Sequence, residues 1–337
     1  MKRVQQLGKT QVVILVTAAL LASLAVWFGM SVWDWQRQHA LVQDLGSAES
    51  WYYERLAGRA SQSELETSIK SSRAKQELLK MGTNAWPAVP MLLDTLNSTN
   101  LGARVRAAEV LAGIGADQHP SWREYRRRLE GRTKPAEAFR YLLYGQNENG
   151  QTYNETCRLF ALRGIEAAGP AGRASLPQLM GICRFEADHE IKVAAVRAIG
   201  SAGMADTQVI PVLQKLMADH EEWPQVRAAA MLALAEVDPA DRALQKHLRD
   251  ALNDKSAFVR TGAAAALWEL GVEANEILPV LMNSATNKLA AVRLASLEVL
   301  ERMGKKAKPA CAAVTHLVLD ENESVRAEAR VVSEKIE

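Results

Sequence analysis

Three residue types in this 337-residue chain could carry chemistry: six histidines, three cysteines and an arginine that recurs. His39, His119, His189, His220, His247 and His316 stand singly. A metal site needs histidines one helical turn apart, or beside cysteines at ligand spacing, and neither pattern occurs, so no metal is expected. Cys157, Cys183 and Cys311 are too dispersed for a thiolate site or a disulfide framework and read as small buried hydrophobes. No Gly-x-Ser-x-Gly, phosphate loop or dinucleotide fingerprint is present, so neither a catalytic set nor a cofactor is expected. The arginine differs because it is periodic. Val226-Arg227, Val259-Arg260, Val292-Arg293 and Val325-Arg326 place it every 33 residues. Arg104, Arg158 and Lys192 fill the same slot upstream, at spacings of 54, 34 and 35 going toward Arg227.

Other columns move with this one. Three residues after it stand Ala107, Ala161, Ala195, Ala230, Ala263, Ser296 and Ala329, always small. Seven after it stand Leu111, Ile165, Ile199, Leu234, Leu267 and Leu300. Eleven after it stand Gly115, Gly169, Gly203, Asp238, Gly271 and Gly304, and Gly82 fits upstream. Pro87, Pro120 and Pro309 lie five residues beyond the glycine slot, and Pro90, Pro177, Pro211 and Pro279 lie eight beyond it. A glycine closes a helix where a left-handed residue is wanted. A proline fits the first turn of the next helix, where a missing N–H costs nothing. The small column lets a neighbouring helix approach. Each unit is thus a helix pair of 33 residues that buries its apolar face only by stacking on the next.

The segments "ILPVLMN…AVRLASLEVLERMG" and "VIPVLQKLMAD…QVRAAAMLALAEVD" resemble the HEAT-like repeat family, in its short bacterial form, over residues 66–337. The resemblance implies an all-α, right-handed α-solenoid of about seven helix pairs. It implies a non-catalytic scaffold or adaptor whose partner is another protein. It also implies that the repeated basic residue (Arg104, Arg158, Lys192, Arg227, Arg260, Arg293, Arg326) pairs with an aspartate in the preceding turn, as a structural ladder. Asp254 stands six residues before Arg260, and Asp320 six before Arg326. Bilin lyases share the repeat, which keeps a lyase-type enzyme or its accessory subunit as the alternative. Alkylpurine glycosylases share it too, but their DNA demands a basic face.

Charge argues against that last reading. Without Lys2, Arg3 and Lys9 the 41 basic residues become 38, against 39 acidic, so no nucleic-acid partner is expected. The basic residues concentrate instead in an insertion within 116–153. In its centre, Trp122–Arg140, Arg123, Arg126, Arg127, Arg128, Arg132, Lys134 and Arg140 stand against Glu124, Glu130 and Glu137. Trp122 and Tyr125 are interleaved, and insertions of this kind often carry a binding face. Trp122, Tyr125, Arg126, Arg127, Arg128 and Arg132 are the candidate partner-binding residues.

The other departure is at the start. Val12–Trp33 is 22 residues long and uncharged, against roughly 20 for a bilayer-spanning helix. Trp27, Trp33 and Trp35 gather at its end, as at a membrane interface, and Lys2, Arg3 and Lys9 precede it. The expected order is a cytoplasmic N-terminus (1–11), a transmembrane helix (12–33), a stalk or N-terminal cap (34–66) and the solenoid (67–337). The chain then reads as a single-pass membrane protein with its solenoid on the non-cytoplasmic side, the periplasm in a bacterium.

Overall fold

The computed structural model describes residues 32–45, 62–145 and 151–336. All but the last two residues of the Val12–Trp33 run, with Trp27, lie outside them, as does the side chain of Trp33. Among the described residues no helix is long and apolar enough to cross a membrane. None of these residues forms a β-strand, so the all-α expectation holds there. The chain divides into two compact units, 1–164 and 165–337.

The first unit holds α1 (Val32–Leu45), α2 (Gln62–Met81), α3 (Val89–Thr95), α4 (Leu101–Gly113), α5 (Trp122–Arg127) and α6 (Thr133–Tyr144). Helix α7 (Glu155–Ala168) contains the division. Helix α1, in the segment read as stalk or cap, lies along α2. Arg37 pairs with Glu77 at 2.9 Å and Lys70 with Asp44 at 2.8 Å. On α1 Trp35 stacks on His39, with ring centroids 5.2 Å apart. The end of α1 is tied down from below. The Leu45 carbonyl accepts Arg106 Nε at 3.1 Å, Arg106 Nη2 at 2.9 Å and the Ser71 hydroxyl at 3.2 Å. Arg106 is only 2% exposed. Its charge is tolerated there because the carbonyl end of a helix carries negative potential.

The second unit repeats one motif five times. A short helix leads into a longer one: α8 (Leu176–Phe185) into α9 (His189–Ala202), α10 (Ile210–Ala218) into α11 (Pro224–Val237), and α12 (Arg242–Ala251) into α13 (Ala257–Glu269). Then follow α14 (Ala274–Ala285) with α15 (Ala290–Met303), and α16 (Cys311–Leu317) with α17 (Glu323–Ile336). The small column lies on the longer helices, and all seven of its residues, from Ala107 to Ala329, are fully buried. Its role is close approach. At the neighbouring Gly262 an added Cβ would stand 2.8 Å from the Ala228 Cα, so α13 rides on the α11 backbone with no room for a methyl.

Several punctuation residues depart from expectation, among them Pro87 and Pro309, which lie in the 3-10 turns ahead of α3 and α16, and Pro120, which precedes α5. Gly115, Gly169, Gly271 and Gly304 take positive φ, but in the third of these turns Ala205, not Gly203, does so. Pro279 lies inside α14 rather than in its first turn. The corresponding stretches before α3, α8 and α16 are 3-10 turns (Gly82–Ala88, Gly169–Ser175, Gly304–Ala310). In α14 that stretch is already α-helical, so the same slot falls one turn deeper.

The periodic arginine holds the pairs together, though not as the resemblance implies. Arg260 Nη1 donates to the Asp254 carbonyl at 2.8 Å and the Lys255 carbonyl at 3.2 Å. Arg293 does the same to Asn287 and Lys288, Arg326 to Asp320 and Glu321, and Arg104 to Ser98 and Thr99. The other end of the fork reaches forward into the next repeat. Arg227 Nη2 meets Asp254 Oδ2 at 3.2 Å, and Arg293 Nη2 meets Asp320 Oδ1 at 2.7 Å. Lys192 meets Glu222 at 2.8 Å, and Arg104 meets Glu137 of α6 at 2.6 Å. Asp254 and Asp320 therefore bind the arginine of the preceding repeat with their carboxylates. The arginine six residues later takes only their carbonyls. Each carboxylate also accepts the backbone N–H two residues on, Ser256 at 2.7 Å and Asn322 at 2.9 Å. Arg158 holds the same slot on α7, half-buried.

Burial raises the Asp320 carboxyl, but the Arg293 hydrogen bond, the Asn322 N–H and the charges of Arg293 and Arg326 outweigh it and hold the group below its usual range. Its contribution to stability is complete above ~3.9, the unfolded value, and is lost as pH falls through the lower folded value. Removing one partner of a buried pair strands the other. Arg293→Ala is expected to cost ~3–5 kcal/mol in urea unfolding at pH 7. Asp320→Ala should cost less, because Arg293 keeps both carbonyls and has Glu321 at 3.6 Å. Equal small losses below ~0.5 kcal/mol for both would show the staple to be ornamental.

Candidate functional site

The insertion does not form the single patch that its composition suggests. Trp122 turns inward onto Phe160, with centroids 5.4 Å apart. Tyr125 leans on His119 at 5.2 Å, and His119 meets the edge of Trp86 at 5.0 Å. Burial lowers the His119 pKa and raises that of Tyr125, as expected of packed rings. Arg128 pairs with Asp94, Arg132 Nη1 lies 3.4 Å from Asn97 Oδ1, and Lys134 donates to the Asn97 carbonyl at 3.2 Å. These contacts carry α5 and the start of α6 back onto the end of α3. Arg126 and Arg127 remain at the exposed surface, with Arg123 beside them. Of the six candidates, two build the packing, two dock the segment, and two face solvent.

In the second unit the longer helices present a row of charged residues that sequence reasoning passed over. Arg197 of α9 donates from Nε to Glu166 at 3.2 Å, and its Nη1 lies 3.8 Å from Glu298 of α15. Helices α11 and α13 stand between these two in the chain, so the row curls until side chains three helices apart meet. Arg302 pairs with Glu269 at 2.7 Å in the same row. Glu236 of α11 lies over Gly200, where an added Cβ would fall 2.2 Å from its Oε2. Burial pushes the Glu236 carboxyl up to about 7; Glu269 and Glu166 push the same way, against Arg302 and Arg197.

A third surface is the edge made by the turns between short and longer helices. The residue four before the basic slot begins each longer helix. Asn100, Asn154, Asp188 and Asn322 cap there by accepting backbone N–H groups. Trp223 and Leu289 occupy the same slot, cap nothing, and are 52% and 48% exposed. Forgoing a cap costs ~1 kcal/mol at each helix. Three residues earlier, Phe185 and Leu319 are each 86% exposed. One face of the Trp223 ring is covered by His189, stacked at 4.7 Å.

The histidines and cysteines converge on no ligand set. Among the described residues no group of three or more His, Cys, Asp or Glu is placed to hold a metal ion. Burial pushes the Cys157 and Cys183 thiols up to about 12, so both are protonated and poor nucleophiles at neutral pH.

A carboxyl whose pKa is raised on folding takes up a proton there. It costs stability as pH climbs from the unfolded value, ~4.3, through about 7. Glu236→Gln, which keeps the shape and removes the charge, is expected to stabilise the protein by on the order of 1–2 kcal/mol at pH 8 and by almost nothing at pH 4. Melting curves at the two pH values check this. An equal effect at both would mean that Glu236 is ionised throughout.

A family model described as HEAT repeats matches residues 176–268 and again 246–333. The match starts at the first residue of α8 and so covers the repeated part of the second unit. No curated protein matches the chain. Among solved structures, human deoxyhypusine hydroxylase in complex with glycerol is 20% identical, with 76% of this chain and 99% of that one covered and a TM-score of 0.38. The Kap121p mutant D353K/E396K/D438K is 14% identical, with 89% and 37% covered and a TM-score of 0.37. Importin beta is 17% identical, with 89% and 43% covered and a TM-score of 0.31. Scores this low carry no argument about activity. The columns, the helix pairs and the family match agree over the same stretch: residues 176–333 match the HEAT-repeat model and fold as successive helix pairs.

Proposed function

We propose that the chain is a non-catalytic, membrane-anchored scaffold that presents its HEAT repeats to another protein. One observation carries this reading. The feature that repeats is consumed inside the array, while the surface differs from repeat to repeat. Arg227 and Arg293 bind the next turn, Arg260 and Arg326 bind their own, and none is spent on solvent chemistry. The turn edge, by contrast, carries Phe185, Trp223, Leu289 and Leu319 in four of its five turns. A constant interior with an individual exterior suits selective binding rather than turnover. Anchoring rests on the sequence alone: the uncharged Val12–Trp33 run with Lys2, Arg3 and Lys9 before it. The solenoid is then placed outside the cytoplasm, in the periplasm of a bacterium.

Photoreactive side chains at Arg126, Glu298 and Phe185 sample the three surfaces in intact cells. The expected outcome is a protein adduct of one defined mass from at least one position, in the membrane fraction. Protease added outside spheroplasts should then digest the repeats. No adduct at any position would contradict the scaffold role. Full protection from protease would contradict the topology.

A further inference from the structure

We propose that the turn edge between α8 and α11 docks an arginine-bearing segment of the partner protein, seated on the open face of Trp223. The proposal rests on the scaffold reading and adds the partner's chemistry.

Trp223 breaks a local rule. Its slot caps the helix at Asn100, Asn154, Asp188 and Asn322, though not at Ser256 or Leu289, and the indole satisfies no backbone group there. Sites that break a rule without local gain are where function is expected. With one ring face against His189 and half of the residue exposed, the other face is open to solvent. Phe185, at the end of α8, adds a second exposed ring along the same edge.

The charge around these rings selects the occupant. Glu186, Asp188, Glu190, Asp219, Glu221 and Glu222 line the two turns and the start of α9, against Arg184 and Lys192. The Lys192 charge is already matched by Glu222 at 2.8 Å. The remaining excess is negative, and Glu190 and Glu221 are exposed. A guanidinium stacks flat on an indole while its N–H fork reaches a carboxylate, which an ammonium does less well. The same excess repels phosphate, nucleic acid and anionic lipid. Trp and Arg are also the residue types that most often dominate interface energetics. Phe185 offers apolar surface to a neighbouring side chain of the same segment.

The test uses the full chain in detergent and a fluorescent octapeptide of alternating arginine and leucine, with a glutamate-for-arginine peptide as control. Anisotropy should report binding of the first and not of the second. Trp223→Ser puts at the slot the residue type that Ser256 already holds there, so melting should be nearly unchanged, while binding weakens ~5–10-fold. Trp223→Tyr should keep most of the affinity, and Glu190→Lys with Glu221→Lys should lose it. Equal affinity of the wild type and Trp223→Ser, binding of the acidic peptide, or no binding at all each overturns the proposal. In cells, a photoreactive side chain at Phe185 should yield an adduct mapping to an arginine-containing peptide of another protein, lost on Trp223→Ser. An adduct to a second copy of the chain or to lipid overturns this occupant. A partner crosslinked only from Arg126 or Glu298, indifferent to Trp223→Ser, overturns this edge and leaves the scaffold role intact. No adduct from any surface overturns the scaffold role itself.

Discussion

At Arg104 and Arg293 one guanidinium with two duties holds a repeat to its neighbour. Nη1 closes the turn of its own helix pair by taking two carbonyls, and Nη2 takes an acid from the next pair. Arg293 does both, with contacts of 2.8 and 3.2 Å on one side and 2.7 Å on the other. The planar, always-charged fork suits this and an ammonium does not. Lys192 makes only the forward contact to Glu222. The arrangement is economical rather than strong. Arg104, Arg227 and Arg293 each leave Nε without a hydrogen-bond partner, and a buried pair gains little net free energy even though breaking it is costly. The staple therefore fixes register, and apolar burial supplies the cohesion.

That burial depends on how near the longer helices can come. The fully buried small column and the bare backbone contact at Gly262 bring α11 and α13 together. Larger side chains fill the space behind, with Leu267 and Leu300 wholly enclosed. Apart from the charged row in which Arg197 meets Glu298, each pair touches mainly its neighbours, so stability is close to a sum of local terms and surfaces can vary. The insertion shows the freedom this allows. Helix α6 supplies Glu137 to Arg104, so the staple continues with a different acid at a different distance along the chain.

The helices and the buried column were legible in the sequence because period and residue size survive without coordinates. The direction of the staple was not. The aspartate lies six residues before one arginine and 27 after another, and the two offsets together make one period of 33. In a periodic chain both recur equally, so spacing cannot distinguish a repeat's own arginine from its neighbour's. The division of the insertion into packing, docking and exposed residues was not legible for a different reason. Composition counts charges and rings but cannot see that Trp122 meets Phe160 or that Arg128 meets Asp94. The turn edge had a readable signal that went unused: Asn100, Asn154, Asp188, Ser256 and Asn322 against Trp223 and Leu289 in one column. The charged row through Arg197 and Glu298 had none, because mixed charges on a helix look like a solvated face until the array curls.

The central claim is that the staple acts between adjacent repeats and nowhere else. Native-state hydrogen exchange on an Arg227→Ala variant tests it most directly. The turn 252–256 and the first turns of α11 and α13 should lose protection, while α15 and α17 keep theirs. A uniform loss across the second unit, or no loss at the 252–256 turn, would contradict the account.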